Sequence, residues 1–381
     1  MDFELTEEQQ LAVDSWRGVL ERDIRPIINQ YLDGAIPKEV THQLLRLGAQ
    51  YGMCCAEVGE ADGGLGLDML TSGLISEELS RVSPDLAGTG FLTQGVALKL
   101  ARGGSPELKA RYLSGLLSGE LIGSSAVSEP DMGSHVRGLK TRAVRDGDNY
   151  RISGEKMWTS NITVADLALV LARTDEDEFT IFLLDREDHG YESREIDKLG
   201  LAGWSMGQLV LDDLVVPAAN AVGGIGGGLR LTMNGFERSR CFVSTLALGI
   251  AQAALDDSIA YARERASFGK PIGSHQLIQG LIAEMATELD AARLLVYRGL
   301  KLLNREEPSP IETSMCKYFA TEAATRITSK AIQVHGAFGI SKEFPVERHF
   351  RNARMLTIPD GTTQINQLII GRNLLGLSAF D

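Results

Sequence analysis

Four cysteines in 381 residues are too few for a disulfide-stapled secreted domain. Cys54 and Cys55 are adjacent, Cys241 and Cys316 stand alone, and no zinc-ligand spacing occurs. A reducing, cytoplasmic setting is therefore expected. An excess of basic charge is also missing: 38 Lys and Arg face 51 Asp and Glu, a formal net charge of -13. That balance argues against nucleic acid or a membrane surface as partner, while leaving room for a local cationic pair to hold an anionic ligand. No apolar run reaches membrane-spanning length. The segment Met1–Gln10 is acidic and polar, unlike a signal peptide. The six histidines show no metal-ligand spacing, and neither a P-loop nor a G-x-S-x-G elbow is present. The glycines from Gly223 to Gly228 fail the G-x-G-x-x-G pattern because Leu229 falls where the last glycine belongs; they read as a turn before a helix.

What is present is a change of hydrophobic period along the chain. Residues 1–122 read as helices. Thr6 and Gln9 fit a capping box, Ser105-Pro106 an N-cap followed by N1 proline, and Pro37–Tyr51 an amphipathic stretch through Val40, Leu44, Leu45 and Leu47. Ala61–Gly66 is a breaker. Residues 123–228 shift to short β-prone runs: Tyr150 and Ile152, Leu167–Arg173, Thr180–Leu184 and Gln208–Val216, parted by Asp146-Gly147-Asp148 and His189-Gly190. A small antiparallel sheet or barrel is expected there. Residues 229–381 return to long helices. Ile278, Leu281, Met285, Leu289, Ala292, Val296, Leu300 and Leu303 form one stripe; Phe242, Leu246, Ile250 and Ala253 form another; Ile365, Leu368, Ile369 and Leu375 form a third. The chain thus reads as mainly α with a β insert: an N-terminal helical domain, a middle β-domain and a C-terminal helical bundle. No reaction follows from these patterns alone.

Specific strings go further. Val127-Ser128-Glu129-Pro130 with Gly133-Ser134 resembles T-E-P-x-x-G-S-D, and Lys156-Met157-Trp158-Thr159-Ser160-Asn161 resembles K-x-W-I-T-N. Arg265-Ala266-Ser267-Phe268-Gly269-Lys270-Pro271-Ile272 with Gln276 resembles R-x-x-F-G-x-P-I…Q. Gln333-Val334-His335-Gly336 resembles Q-x-x-G-G, Arg348-His349-Phe350-Arg351-Asn352-Ala353 resembles R-x-x-R-D-A, and Asp360-Gly361-Thr362-Thr363-Gln364-Ile365 resembles E-G-T-x-x-I. In this order and over essentially the whole chain, they resemble the acyl-CoA dehydrogenase family. That resemblance implies a four-helix C-terminal bundle, FAD, and an acyl-CoA or acyl-carrier-protein substrate. It further implies electron-transferring flavoprotein as electron acceptor and a homotetramer or homodimer whose FAD sites are completed across subunits. The segment Arg46–Leu67 resembles carrier-protein dehydrogenases of polyketide pathways.

The resemblance assigns FAD contacts to Val127, Ser128, Gly133, Ser134, Trp158, Thr159, Ser160, Arg265, Phe268, Gln276, Gln333, Gly336, Thr362 and Gln364. Serine at 128 and 160 keeps the hydroxyl of the family's threonines. Arginine at 265 suits a pyrophosphate because its donors form a fixed fork. Substrate-side positions are Ser134, Glu237, Arg240, Gly361 and Arg372. By pattern alone, Trp158 reads as a core tryptophan, Arg265 as a solvated helix-end charge, and Ser134, Arg240 and Arg372 as surface polarity.

The departure that matters is at the base. Most of the family places glutamate where this chain has Asp360; another branch places it where this chain has Ser239. Asp360 is the carboxylate expected to abstract the α-proton, with flavin N5 accepting the β-hydride. Aspartate is shorter by one C–C bond, about 1.5 Å, while its usual pKa differs little from glutamate's, roughly 3.9 against 4.3. Reach, not basicity, is what changes. Asp131 and His135 are further departures. Two alternatives accompany this reading: a flavin oxidase of the nitroalkane-oxidase kind, which uses aspartate as base, and a non-catalytic flavin or acyl-thioester binding protein. Without the motif register, Pro359-Asp360-Gly361 is simply a turn.

Overall fold

A computed structural model of the chain describes residues 4–305 and 308–378; Met1–Phe3 of the acidic N-terminus lie outside the described residues. The N-terminal helices are α1 (Glu7–Val19), α2 (Arg25–Ile28), α3 (Lys38–Ala49), α4 (Met69–Val82), α5 (Pro84–Gly103) and α6 (Pro106–Ser118). Their starts follow from local chemistry. Thr6 Oγ1 accepts from Gln9 N at 3.2 Å and Gln9 Oε1 accepts from Thr6 N at 3.1 Å, closing the capping box. Ser105 caps α6 with Pro106 in its first turn. The breaker is a single turn, Glu60–Asp62, closed by a left-handed Gly63.

The strands are β1 (Gly123–Ala126), β2 (Arg142–Asp146), β3 (Asn149–Ser160), β4 (Leu167–Arg173), β5 (Phe179–Asp185), then a short α7 (Arg186–His189), β6 (Glu192–Glu195), β7 (Met206–Pro217) and β8 (Ala221–Val222). They form one eight-stranded sheet, ordered β6-β7-β3-β2-β4-β5-β8 with β1 also on β4. This corrects the expectation of a wholly antiparallel sheet or barrel. β1 and β2 both pair parallel to β4, and the path from β6 to β8 stays open. A parallel pair needs a crossover connection, and here the β2–β3 hairpin lies within the chain between β1 and β4. Period-2 patterning reveals a strand but not its neighbour.

The C-terminal third comprises α8 (Gly228–Glu264), the hairpin β9 (Ala266–Ser267) and β10 (Lys270–Pro271), α9 (Gln276–Leu303), α10 (Pro310–His335), α11 (Val346–Leu356) and α12 (Thr363–Leu375). The glycine cluster is a turn, and α8 starts flush on the sheet. A Cβ on Gly228 would meet the Thr180–Ile181 backbone at 2.7 Å. The predicted stripe on α9 buries Met285, Leu289, Ala292, Val296 and Leu300. The stripe on α12 does not pack that way: its buried residues are Thr363 and Asn366, and Leu375 is 73% exposed. An apolar face is legible from spacing, whereas what covers it is not. One hydrophobic core joins the N- and C-terminal helices, and two others lie on the two sides of the sheet. Buried Glu77 of α4 accepts from Arg293 Nε and Tyr297 OH of α9, both at 2.9 Å, and ties the helical layers together.

Candidate active site

The end of β1 and the middle of β3 are joined through one buried ion pair. Lys156, fully buried, donates from Nζ to Val127 O and to Glu129 Oε1, each at 3.0 Å. Glu129 also accepts from Lys140 N at 2.6 Å, Thr141 N at 2.8 Å and Thr141 Oγ1 at 2.6 Å. Burial alone would raise the Glu129 carboxyl, but these donors and the Lys156 charge hold it below the usual range. Burial pushes the Lys156 ammonium down to about 8, against the pull of Glu129. Met157 N donates to Ser128 O at 2.9 Å, a further link between the two segments.

This frame turns Trp158 outward. Pairing of β3 with β7 slips between Lys156 and Thr159, and Trp158 takes a left-handed backbone (φ 59°). Such a conformation costs a bulky residue roughly 1–2 kcal/mol, and strain of this kind concentrates at binding sites. The indole is 54% exposed, so the core-tryptophan reading is wrong. The adjacent Thr159 Oγ1 is buried without a hydrogen-bond partner. A flat aromatic face beside an unfilled hydroxyl, with Ser128 and Ser160 partly accessible, fits the ring of a flavin. Gly133 and Ser134 lie on the exposed turn beyond Met132. There Asp131 pairs with Lys140 at 3.0 Å, so its added charge is partly offset.

Asp360 occupies the turn between α11 and α12. Its φ is 55° and that of Gly361 is 94°. Aspartate tolerates the left-handed region, and glycine is the natural residue after it. Thr362 Oγ1 caps α12 by accepting from Ile365 N, and Asn366 Nδ2 donates to Gly361 O at 2.7 Å. In that cap the Thr362 oxygen acts as acceptor, and its O–H can still donate. Three cations from three helices feel the Asp360 charge: Lys99 of α5, Arg240 of α8 and Lys317 of α10. Burial pushes Lys99 and Lys317 down to about 8 and lowers Arg240, while Asp360 opposes each shift. Lys317 Nζ donates to Thr357 O at 2.7 Å, Lys99 Nζ donates to Ser125 Oγ at 3.0 Å, and Arg240 Nε is buried without a partner. Glu237 lies beside Arg240 and accepts from Ser309 N at 2.7 Å.

Sequence reasoning named Asp360, Gly361, Glu237 and Arg240 here and missed both lysines. For Lys99 the signal was a lone charge in the apolar run Val96–Ala101. Arg372 is exposed at the last turn of α12, and Gln364 is exposed at its start.

A third group lies on the surface. Arg265 holds its guanidinium 5.7 Å from the Phe338 ring, and Phe268 meets His275 edge-on at 6.2 Å. Phe268, at the tip of the β9–β10 hairpin, is 93% exposed; Gln276, Gln333 and Gly336 are exposed as well.

The chain matches three family models: acyl-CoA dehydrogenase N-terminal domain over residues 6–120, middle domain over 124–214 and C-terminal domain over 226–375. The chain belongs to the acyl-CoA dehydrogenase family. It is 37% identical over 386 residues to cyclohex-1-ene-1-carbonyl-CoA dehydrogenase of Syntrophus aciditrophicus, covering 98% of this chain and 91% of that protein. Its fold is similar to butyryl-CoA dehydrogenase of Megasphaera elsdenii, with TM-score 0.93, 32% identity and coverage of 98% and 100%. A glutaryl-CoA dehydrogenase of Mycobacterium smegmatis in complex with FADH2 superposes with TM-score 0.91 at 28% identity, covering 99% and 97%. As an acyl-CoA dehydrogenase, the chain is an FAD-dependent oxidoreductase acting on CH–CH donors. The flavin-oxidase and non-catalytic readings are not favoured by these relatives. Among the described residues no helix is long and apolar enough to cross a membrane, and no His, Cys, Asp or Glu cluster suits a metal.

Proposed function

We propose that Asp360 is the base that removes the α-proton of an acyl thioester. The observation that carries this is its position: a carboxylate on a left-handed turn between α11 and α12, near enough for its charge to act on Lys99, Arg240 and Lys317. The isoalloxazine, when bound, supplies the acceptor for the β-hydride. With the flavin bound, Asp360 would take the α-proton while the ring accepted the β-hydride, and an α,β-unsaturated thioester would result. Val127, Ser128, Trp158, Thr159 and Ser160 hold the ring, with Gly133 and Ser134 on the adjoining turn. Arg240, with its unpaired Nε, binds the thioester-bearing arm, helped by Glu237, Gly361, Ser134 and Arg372. Because aspartate is about 1.5 Å shorter than glutamate, the substrate Cα sits correspondingly nearer the turn.

Arg265, Phe268, Gln276, Gln333, Gly336 and Gln364 reach the flavin of a second copy. The exposed Phe268, Leu277 and Ile340 support such a homodimer or homotetramer. Electron-transferring flavoprotein is the acceptor, the acyl carrier is CoA or a carrier protein, and the setting is cytoplasmic. Four buried free thiols are consistent with that compartment.

Anaerobic mixing of the flavin-loaded protein with short, branched and cyclic thioesters, each on CoA and on carrier protein, tests the reading. Bleaching by at least one series is expected. A bound flavin that none of them bleaches contradicts it.

A further inference from the structure

On either side of Asp360 the chain is held by a charged group, and both groups belong to one helix. Thr357 ends α11, and its carbonyl accepts from Lys317 Nζ at 2.7 Å. Thr363 opens α12 and donates from Oγ1 to Glu322 Oε1 at 2.6 Å. Lys317 and Glu322 both lie on α10, about 7.5 Å apart along its axis. Between these two points buried Asn366 donates from Nδ2 to Gly361 O at 2.7 Å and to Thr362 O at 3.1 Å.

The two charges match the helix ends they meet. A helix C-terminus carries unpaired carbonyls and a partial negative charge, and an N-terminus carries unpaired N–H groups and a partial positive one. The ammonium sits at the first and the carboxylate at the second. The placement of Lys317 is otherwise hard to account for. Other cations held in the interior meet carboxylates: Lys156 meets Glu129, Arg238 of α8 meets Glu57, and Arg293 meets Glu77. Fully buried Lys317 instead gives its hydrogen bond to a backbone carbonyl at the entry to the Asp360 turn. An apolar side chain of similar volume would serve stability as well or better. What the lysine adds is a fixed carbonyl and a positive charge beside the turn.

Aspartate makes the placement of this turn matter more. A glutamate can correct its reach through one further rotatable bond, whereas the Asp360 carboxylate goes where its backbone goes. We propose that Lys317 and Glu322 are positioning residues for the base: they clamp the turn that carries Asp360 by fixing the end of α11 and the start of α12. This rests on Asp360 being the base.

The test combines single-turnover flavin reduction with hydrogen exchange, both on the flavin-loaded protein. The thioester is the one that bleaches the wild type fastest in the screen above, at saturation. Lys317→Met should bind it normally yet reduce its flavin roughly ten- to hundredfold more slowly, as for a reacting group displaced by about 1 Å. Glu322→Gln should slow reduction by about two- to fivefold, the weight of one charge beside a helix end. The acid limb of the rate against pH should move up in Lys317→Met, because a nearby cation favours the ionised carboxylate. In an Asp360→Asn background either change should cost less than about twofold more, since a clamp acts only through the base it holds. Without thioester, deuterium uptake over residues 357–366 should quicken in both variants while the rest of α11 and α12 is unaltered. A Lys317→Met variant within about twofold of the wild-type rate, or losses that add in full to that of Asp360→Asn, overturns the clamp. Unchanged uptake over 357–366 in both variants overturns it independently of any reduction rate. An Asp360→Asn variant that keeps the wild-type rate with thioester bound fails the base itself, and the clamp with it.

Discussion

Glu129→Gln tests whether the flavin-facing frame is held as described. The change removes the counter-charge of fully buried Lys156 and leaves an ammonium with neutral acceptors only, the Val127 carbonyl among them. Breaking one side of a buried ion pair costs about 3–5 kcal/mol. The single glutamine oxygen can take only the Oε1 position, where it still accepts from Thr141 and, uncharged, from Lys156, or the Oε2 position facing Lys140 N; keeping the larger set places the loss at about 3 kcal/mol. At about 2 °C per kcal/mol for a chain of this size or somewhat less, the apparent melting midpoint falls by roughly 5 °C. The assay is thermal unfolding followed by tryptophan and flavin fluorescence. Flavin release should precede global unfolding, because Trp158 and Ser128 are positioned through this pair. Adding Lys156→Met to Glu129→Gln should recover stability by removing the unpaired charge.

The pH dependence has a definite sign. The folded Glu129 carboxyl lies below its usual 4.5, so its stabilisation is present above that value and is lost as pH falls through the folded value. The wild-type margin over Glu129→Gln therefore narrows in acid. A single variant within about 0.5 kcal/mol of wild type, the range of an ordinary surface change, would refute the frame, as would a double variant that merely adds both losses.

Three further outcomes are expected. Thr159→Val should weaken FAD binding by roughly tenfold while leaving the melting of the flavin-free protein unchanged or slightly raised, because its hydroxyl has no protein partner; flavin titration and calorimetry read both. Phe268→Asp should leave the fold intact, with a change of about 0.5 kcal/mol or less. It should also shift the light-scattering mass to a smaller assembly and lower flavin occupancy. Asp360→Glu keeps the charge but moves it by about 1.5 Å and should slow flavin reduction by roughly ten- to hundredfold; unchanged or faster reduction would show a pocket shaped for glutamate.

Features set by neighbours in sequence were legible before any coordinates. The Thr6–Gln9 capping box, the Ser105 cap and the bounds of β4 all depend on residues within a few positions of each other. Motif register singled out Asp360 and Trp158; local composition alone reads the first as a turn residue, which it is, and the second as core, which it is not. What escaped were contacts assembled across distance. Lys99, Arg238 and Lys317 come from α5, α8 and α10, and each shows in the sequence only as a charge on a helix. The Glu129–Lys156 pair sat inside two recognised strings, yet nothing in either string shows that they bond to each other. The parallel pairing of β1 and β2 with β4, and the uncovered face of α12, escaped for the same reason: periodicity describes one element at a time.

The central claim is that the Asp360 carboxylate performs proton abstraction. Asp360→Asn keeps shape and removes basicity, and single-turnover anaerobic flavin reduction with saturating substrate isolates the chemical step. With substrate binding intact, the reduction rate is predicted to fall by roughly a hundredfold to ten-thousandfold. A variant that binds substrate and reduces its flavin within a few-fold of the wild-type rate would contradict the account.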